Sequence, residues 1–202
     1  MFEDNNLEAK KFTISKSINT TFRFKELMLN IYKCYELMIE DNQLVPNLEN
    51  NIRDMLLYEY LNNNEIRQKL NIDKFLFDPE VPEKISKNSG RTDIKIQTYD
   101  TFQNTDNYYI IECKRLDGYS KLNKEYINNG INRFIKKEEN YKYSSYNNIN
   151  GMIGFVVKNI DIDKNIYKMG NFFEIIELNK LYHSNHLDLE LYHLMMDFSD
   201  NF

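Results

Sequence analysis

The sequence predicts an α/β fold in which a mixed central sheet of four to five strands is flanked by helices. Three observations lead to this prediction. Segments with apolar residues at three- and four-residue steps, the period of a helix, stand on both sides of shorter alternating or continuously apolar segments, which are typical of strands. Hydrophobic residues make up 42% of the chain and can form a sizeable core. The 202 residues fit one domain, with a helical extension over 1–45 and a core over 47–198.

After a non-helical start, the first third of the chain is predicted to be helical. Residues 1–20 are polar, and we expect them to be irregular or a short edge element. Apolar residues then follow one helical face from Thr21 to about Ile39, and Pro46 ends this region because proline lacks an amide hydrogen. A second helix is predicted over about 47–63. A short helical stretch at 65–72, a loop through 78–82 and a turn at 88–90 follow.

Two strands are predicted next, and they form an antiparallel hairpin. Residues 92–99 (TDIKIQTY) alternate between two faces, and residues 108–115 (YYIIECKR) begin with an apolar run, with a polar turn between the two. A helix is predicted over about 121–137. Gly130 lies inside it at a cost of ~1 kcal/mol relative to Ala, so we expect another backbone to approach closely there.

The remaining predicted elements complete the sheet. Residues 151–158 read as a buried strand because Ile, Phe and Val dominate them. A helix or irregular segment is predicted at about 162–170, and residues 189–198 (LELYHLMMDF) as a closing strand.

Charge and cysteine content limit the classes of function. The net charge is −5, whereas proteins that hold nucleic acid by charge alone are usually basic. Any contact with nucleic acid must therefore come from a local patch, helped by bound metal. Cys34 and Cys113 lie far apart without a partner motif, which predicts free thiols in a reducing cytosol. We expect a cytoplasmic chain that does not enter membranes, because it has neither an apolar leader nor a membrane-length apolar run.

The charged end of the second hairpin strand is the strongest candidate for chemistry. Glu112 and Lys114 are two residues apart, so they share one face of the strand at a spacing of ~6.6–6.8 Å. Asp93 begins the preceding strand, and hairpin pairing would bring it close to Glu112. Two carboxylates can hold Mg²⁺, which polarises phosphoryl oxygens and acidifies bound water. A nearby lysine can orient that water or stabilise developing charge, so the set suits phosphodiester cleavage.

The motif "GRTDIKI…YYIIECKRL" resembles the core of the PD-(D/E)xK, or restriction-endonuclease-like, nuclease superfamily. Asp93, Glu112 and Lys114 stand at the matching positions, with Thr92 where the family often has proline. The resemblance extends over about residues 47–157, and the Gln-x-x-x-Tyr motif of the RecB-type branch is absent. It implies a Mg²⁺-dependent endonuclease, with Mn²⁺ as a substitute, that acts on DNA, with RNA left open. It also implies a homodimer or a subunit of a larger complex, and a role in defence against foreign DNA.

The resemblance further implies an acidic residue on the helix before the hairpin, in contact with the metal. Glu49 and Glu59 are the two candidates, and Glu49 is preferred because it precedes the apolar stripe of that helix. Asp93, Glu112 and Glu49 are thus the expected metal ligands.

Several other side chains are candidates for contacts with nucleic acid. On the helix after Lys114, the family often has a polar or aromatic residue, and Tyr126 and Arg133 are the natural positions. A guanidinium such as that of Arg133 can bind a backbone phosphate. Arg115 and Lys95 flank the site and are either phosphate contacts or solvated charges.

Two other interpretations compete with a nuclease. The chain could be a non-catalytic interaction module that keeps the fold, although such a module would not need the three charges. His183, His186 and His193 raise the question of zinc, but no cysteine or fourth ligand stands at zinc spacing, so we expect none.

Overall fold

The computed structural model describes residues 4–82, 91–135 and 148–202, with side chains from residue 20 onward. Within these residues, the sheet has seven strands. They are β1 (Leu76–Pro79), β2 (Ile94–Gln97), β3 (Tyr108–Leu116), β4 (Ile149–Val156), β5 (Phe173–Glu177), β6 (Leu181–His186) and β7 (Leu189–Asp197). The described part of the chain also has seven α-helical segments: α1 (Asp4–Glu40), α2 (Glu49–Met55), α3 (Asn64–Lys69), α4 (Tyr99–Gln103), α5 (Ser120–Tyr126), α6 (Asn132–Ile135) and α7 (Ile162–Met169).

The sheet is mixed, with the order β1-β2-β3-β4-β7-β6-β5. Its centre, β3-β4-β7, is parallel, and the strands on both sides pair antiparallel. The predicted α/β class with helices around a mixed sheet is confirmed. The predicted number of four to five strands is wrong. Strand β1 overlaps the predicted loop through 78–82, and the polar content of β6 hid its alternation.

The predicted hairpin is present, with Ile94 opposite Ile111. The connection between its strands is more than a polar turn, because it contains α4. Thr98 begins this helix with a capping box, in which its side chain and that of Thr101 satisfy backbone amides at the helix start.

Helix α1 is much longer than expected. It covers the described chain from Asp4, so the prediction of an irregular segment or a short edge element is wrong for residues 4–20. No glycine or proline interrupts residues 4–40, and a helix can therefore continue without a continuous apolar stripe. In its second half, the buried side chains Phe24, Leu27 and Ile31 pack into the core on one face of the sheet.

The helix after β3 is divided into three parts. A π-helical segment, Ile127–Ile131, joins α5 to α6. A Cβ atom at Gly130 would lie 2.5 Å from Cε of Met152 and 3.5 Å from Cγ of Lys114. The close neighbours of Gly130 are therefore the side chains of Met152 and Lys114. The prediction that another backbone lies closest to this glycine is wrong. The last two residues of the predicted helix, 136 and 137, and the predicted turn at 88–90 lie outside the described residues.

Two apolar layers cover the sheet. Helix α1 and the α2 region, which continues as the π-helical segment Leu56–Leu61, pack on one face. Tyr126, Phe134 and Ile166, from the helices that follow β3 and β4, contribute to the core on the other. In the part of the chain that the structure describes, no helix is long and apolar enough to cross a membrane.

Candidate active site

Glu112 and Lys114 lie where β3 leaves the core. The strand is buried from Tyr108 to Cys113, and Glu112 itself is 0% exposed. Antiparallel pairing with β2 brings Asp93, the residue just before β2, to the same place. Oδ2 of Asp93 accepts a hydrogen bond of 2.7 Å from the backbone N–H of Cys113. The structure thus brings together the two carboxylates and the lysine that the sequence analysis singled out.

Three carboxylates surround the ammonium group of Lys114. Its Nζ lies 2.9 Å from Oε1 of Glu112, 3.1 Å from Oε1 of Glu49 and 3.6 Å from Oδ2 of Asp93. It also donates a hydrogen bond to the carbonyl of Cys113. Lys114 is therefore the centre of the cluster, and its side chain is only 12% exposed.

Glu49, and not Glu59, is the helix acid at this cluster. It is the first residue of α2, and its Oε2 accepts a hydrogen bond of 3.1 Å from the backbone N–H of Arg115. Glu59 is exposed on the π-helical segment that continues α2. The start of α2 is thus attached to the end of β3 through one carboxylate.

The three predicted nucleic-acid contacts occupy different places. Arg133 reaches the cluster from α6, where Nη1 lies 2.5 Å from Oε1 of Glu112 and Nη2 donates to the carbonyl of Arg91 at 3.0 Å. Arg115 donates from Nη1 to the carbonyl and side-chain oxygens of Asn47. The Nζ of Lys95 lies 3.9 Å from the centroid of the Tyr108 ring. Of the three, Arg133 contacts a carboxylate of the candidate site.

Arg53 is a member of the site that the sequence analysis missed. It is 3% exposed, and its Nη1 donates to Oδ1 of Asp93 at 3.3 Å. Its Nη2 lies 3.0 Å from Oε1 of Glu80 and 2.7 Å from Oδ1 of Asp54. A signal was available, because Arg53 stands four residues after Glu49, on the same side of α2 and next to the buried Ile52.

The protonation behaviour of the cluster follows from its burial. Burial, together with the charge of Asp93, raises the pKa of Glu112 to about 7, although Lys114 and Arg133 oppose the shift. Burial alone would lower the pKa of Lys114, but the carboxylates of Glu112, Asp93 and Glu49 outweigh it and raise that pKa. The ammonium is therefore held in its charged form, while Glu112 titrates near neutral pH.

Tyr126 and His193 lie in the core, whereas His183 and His186 are half-buried on β6. Tyr126 is fully buried, and its hydroxyl lies 2.9 Å from Nδ1 of His193. Oγ of Ser184 lies 2.7 Å from Nε2 of His193 and 2.8 Å from Nε2 of His186. Burial raises the pKa of Tyr126 and lowers that of His193, so both stay neutral at physiological pH. This network packs the sheet against α5.

The donor chemistry of the cluster suits Mg²⁺. Glu49, Asp93 and Glu112 offer the carboxylate oxygens that this ion takes. In the present arrangement these oxygens surround an ammonium ion, and among the described residues no three His, Cys, Asp or Glu side chains are disposed to hold a metal. These oxygens could hold a metal once the ammonium group of Lys114 moved away from them.

Fold and site together define a mixed α/β protein with a buried carboxylate–lysine cluster at the end of a central strand. The chain matches no protein-family model, and it has no significant match among curated proteins or solved structures. A functional assignment therefore rests on the geometry of the cluster and on the motif that its residues form.

Proposed function

We propose that this chain is a Mg²⁺-dependent nuclease that hydrolyses phosphodiester bonds in DNA. The observation that carries the proposal is the convergence of Asp93, Glu112 and Glu49 on Nζ of Lys114. Removing such charges from water costs several kcal/mol per ion, so buried charge clusters are weak evidence for a purely stabilising role. A buried carboxyl group with a raised pKa, such as that of Glu112, is more typical of a functional site.

Each residue has a distinct role in the proposal. Asp93 and Glu112 would hold the Mg²⁺ ion, with Glu49 as the third acid, and the bound ion would acidify a water and polarise the phosphate. Glu112 must be ionised to bind it, and its pKa of about 7 makes this step depend on pH near neutrality. Lys114 would turn from the carboxylates towards the attacking water or the negative charge that develops on the phosphorane.

The kind of substrate is part of the same proposal. The motif favours DNA, while a carboxylate metal site of this type does not itself read the sugar, so RNA is the alternative substrate. With a net charge of −5, recognition depends on local groups or on a partner chain, either a second copy or another subunit. Defence against foreign DNA fits this biochemical role.

The test is a cleavage assay on the purified chain with DNA and RNA, in Mg²⁺ or in EDTA. We expect cleavage that requires Mg²⁺ and that Lys114→Ala lacks. Lys33→Ala is the matched control, because it removes an exposed lysine of α1 and should cut like the wild type. Equal cleavage by wild type and Lys114→Ala would attribute the activity to a contaminant and reject the proposal.

A non-catalytic interaction module is the second candidate, and one observation favours it. Lys114, Arg133 and Arg53 pair with the carboxylates of the cluster, so its charges are compensated by the chain itself. The two candidates differ in their response to Mg²⁺. With a DNA duplex that resists hydrolysis present, a nuclease site that binds Mg²⁺ should raise the melting temperature of the chain, because a ligand stabilises the state that binds it, whereas a module should show no change.

A further inference from the structure

One oxygen atom of Glu112 is shared by two cations. Oε1 lies 2.9 Å from Nζ of Lys114 and 2.5 Å from Nη1 of Arg133. Lys114 belongs to the same strand as Glu112, whereas Arg133 comes from α6, beyond the π-helical segment. The acid that the proposed function needs for metal binding is therefore neutralised from two different elements.

The acids of the cluster already have cationic partners without an added ion. Lys114 contacts Glu49, Asp93 and Glu112, and Arg133 contacts Glu112 as well. Arg53 contacts Asp93 and is shared with Asp54 and Glu80. A divalent cation that enters this arrangement meets cations within a few ångströms of its ligands. Such like charges weaken metal binding unless one of them leaves.

Arg133 is the cation best placed to leave. The Arg53 side chain is 4% exposed and the Lys114 side chain 12%, but that of Arg133 is 26% exposed. A guanidinium can turn from a carboxylate to a phosphate, which it binds through two parallel hydrogen bonds. A nucleic-acid backbone beside α6 would offer that alternative partner.

We propose that Arg133 is a substrate-responsive latch on Glu112. Without nucleic acid, its guanidinium neutralises Glu112 and disfavours a divalent ion in the cluster. A backbone phosphate draws the guanidinium away, and Glu112 then becomes a ligand as Lys114 turns towards the substrate. Metal and nucleic acid should therefore bind cooperatively, each tightening the other by the same factor. This inference rests on the proposed function and adds an order of assembly that keeps the metal site inactive until substrate is present.

The experiment measures metal binding and does not depend on turnover. Free Mn²⁺ is followed by electron paramagnetic resonance as it is titrated into the full chain. Each titration is run under three conditions. The first has no nucleic acid, the second has a short DNA duplex whose phosphorothioate linkages resist hydrolysis, and the third has an RNA of the same design. We expect wild type to bind Mn²⁺ roughly tenfold more tightly with nucleic acid present, within the range found for coupled sites.

Arg133→Gln tests the latch itself. Without nucleic acid, this variant should bind Mn²⁺ more tightly than the wild type does. Adding the duplex should raise its affinity for Mn²⁺ by a smaller factor than in the wild type. The matched control is Arg23→Gln, which removes an equal charge from an exposed arginine of α1, outside the cluster. It should follow the wild type in metal binding. Circular dichroism verifies that each variant is folded.

The outcomes separate the latch from the proposed function. Suppose that the wild type cleaves nucleic acid, but that Arg133→Gln without nucleic acid binds Mn²⁺ no more tightly than the wild type does. The latch is then wrong, and the nuclease proposal stands. A wild-type affinity for Mn²⁺ that neither DNA nor RNA changes also overturns the latch, even if Arg133→Gln does not fold. If the wild type neither binds Mn²⁺ nor cleaves under any condition, both proposals fall.

Discussion

Nζ of Lys114 lies 3.1 Å from Oε1 of Glu49, although the two residues are 65 positions apart in the chain. The contact joins the end of β3 to the first residue of α2. The same carboxylate accepts the backbone N–H of Arg115 through its other oxygen. Glu49 is therefore fixed by two donors from β3, and the cluster combines a strand end with a helix start.

This geometry predicts different effects for the two acids of the α2 region. Glu49→Gln removes one negative charge beside Lys114 and should reduce Mg²⁺-dependent cleavage at least roughly tenfold, by analogy with other changes around metal sites. Glu59→Gln removes an equal charge from an exposed position and should cut like the wild type. Initial cleavage rates at saturating Mg²⁺ provide the measurement. Similar rates for both variants would remove Glu49 from the proposed site.

The raised pKa of Glu112 predicts a pH-dependent stability. Folding raises this pKa from 4.5 to about 7, so between these values the folded chain binds more protons than the unfolded chain. The contribution of Glu112 to stability is present below the unfolded pKa and is lost as pH rises through the folded one. Glu112→Gln cannot ionise, so its stability relative to wild type should improve over this range. Urea unfolding in EDTA at about pH 5 and about pH 8 measures the difference. A constant difference would show that Glu112 is already ionised at the lower pH.

Arg53 should be essential for folding stability. Its removal deprives Asp93 of one of its two cationic neighbours, the other being Lys114 at 3.6 Å, and breaking a buried pair typically costs about 3–5 kcal/mol of unfolding free energy. We expect a loss of this size for Arg53→Met in urea unfolding. Arg91→Met is the control, since the Arg91 side chain is 66% exposed and pairs with the same Glu80 as Arg53 does. Exposed pairs contribute about 0–1 kcal/mol. Equal losses of unfolding free energy in the two variants would show that the buried position of Arg53 adds nothing to its contribution to stability.

Tyr126 should matter for stability and not for cleavage. Tyr126→Phe deletes a buried hydroxyl that lies 2.9 Å from Nδ1 of His193 and leaves that nitrogen without this partner. The expected cost is about 1–3 kcal/mol of unfolding free energy. Cleavage under conditions where the variant is folded should equal that of wild type. A selective loss of cleavage with unchanged stability would instead indicate that Tyr126 acts on the substrate, as a candidate contact with nucleic acid.

The sequence allowed the hairpin and its charged corner to be predicted, because the alternation of TDIKIQTY and the apolar start of YYIIECKR are local signals. Since strand geometry fixes which residues share a face, the proximity of Asp93, Glu112 and Lys114 followed from pairing alone. The length of α1 did not follow, because its first half has no apolar stripe. Strand β1 is short and β5 largely exposed, and neither gives a strong periodic pattern.

The partners of the charges could not be predicted for a different reason. Arg53 meets Asp93 and Glu80 across 40 and 27 residues, and Arg133 meets Glu112 across 21. Such contacts depend on how helices dock on the sheet, which a residue pattern does not encode. The motif identified the acids and the lysine, and the docking of α2 and α6 determined which cations neutralise them.

The most direct test of the central claim is the location of a bound metal ion. Crystals of the full chain, grown with Mn²⁺ and the phosphorothioate duplex, would yield an anomalous difference map. We expect one peak at about 2.0–2.3 Å from carboxylate oxygens of both Asp93 and Glu112, with Nζ of Lys114 displaced from the centre of the cluster. A map without a peak there, at saturating Mn²⁺ and with Lys114 still in contact with all three acids, would contradict the assignment of this cluster as a nuclease metal site.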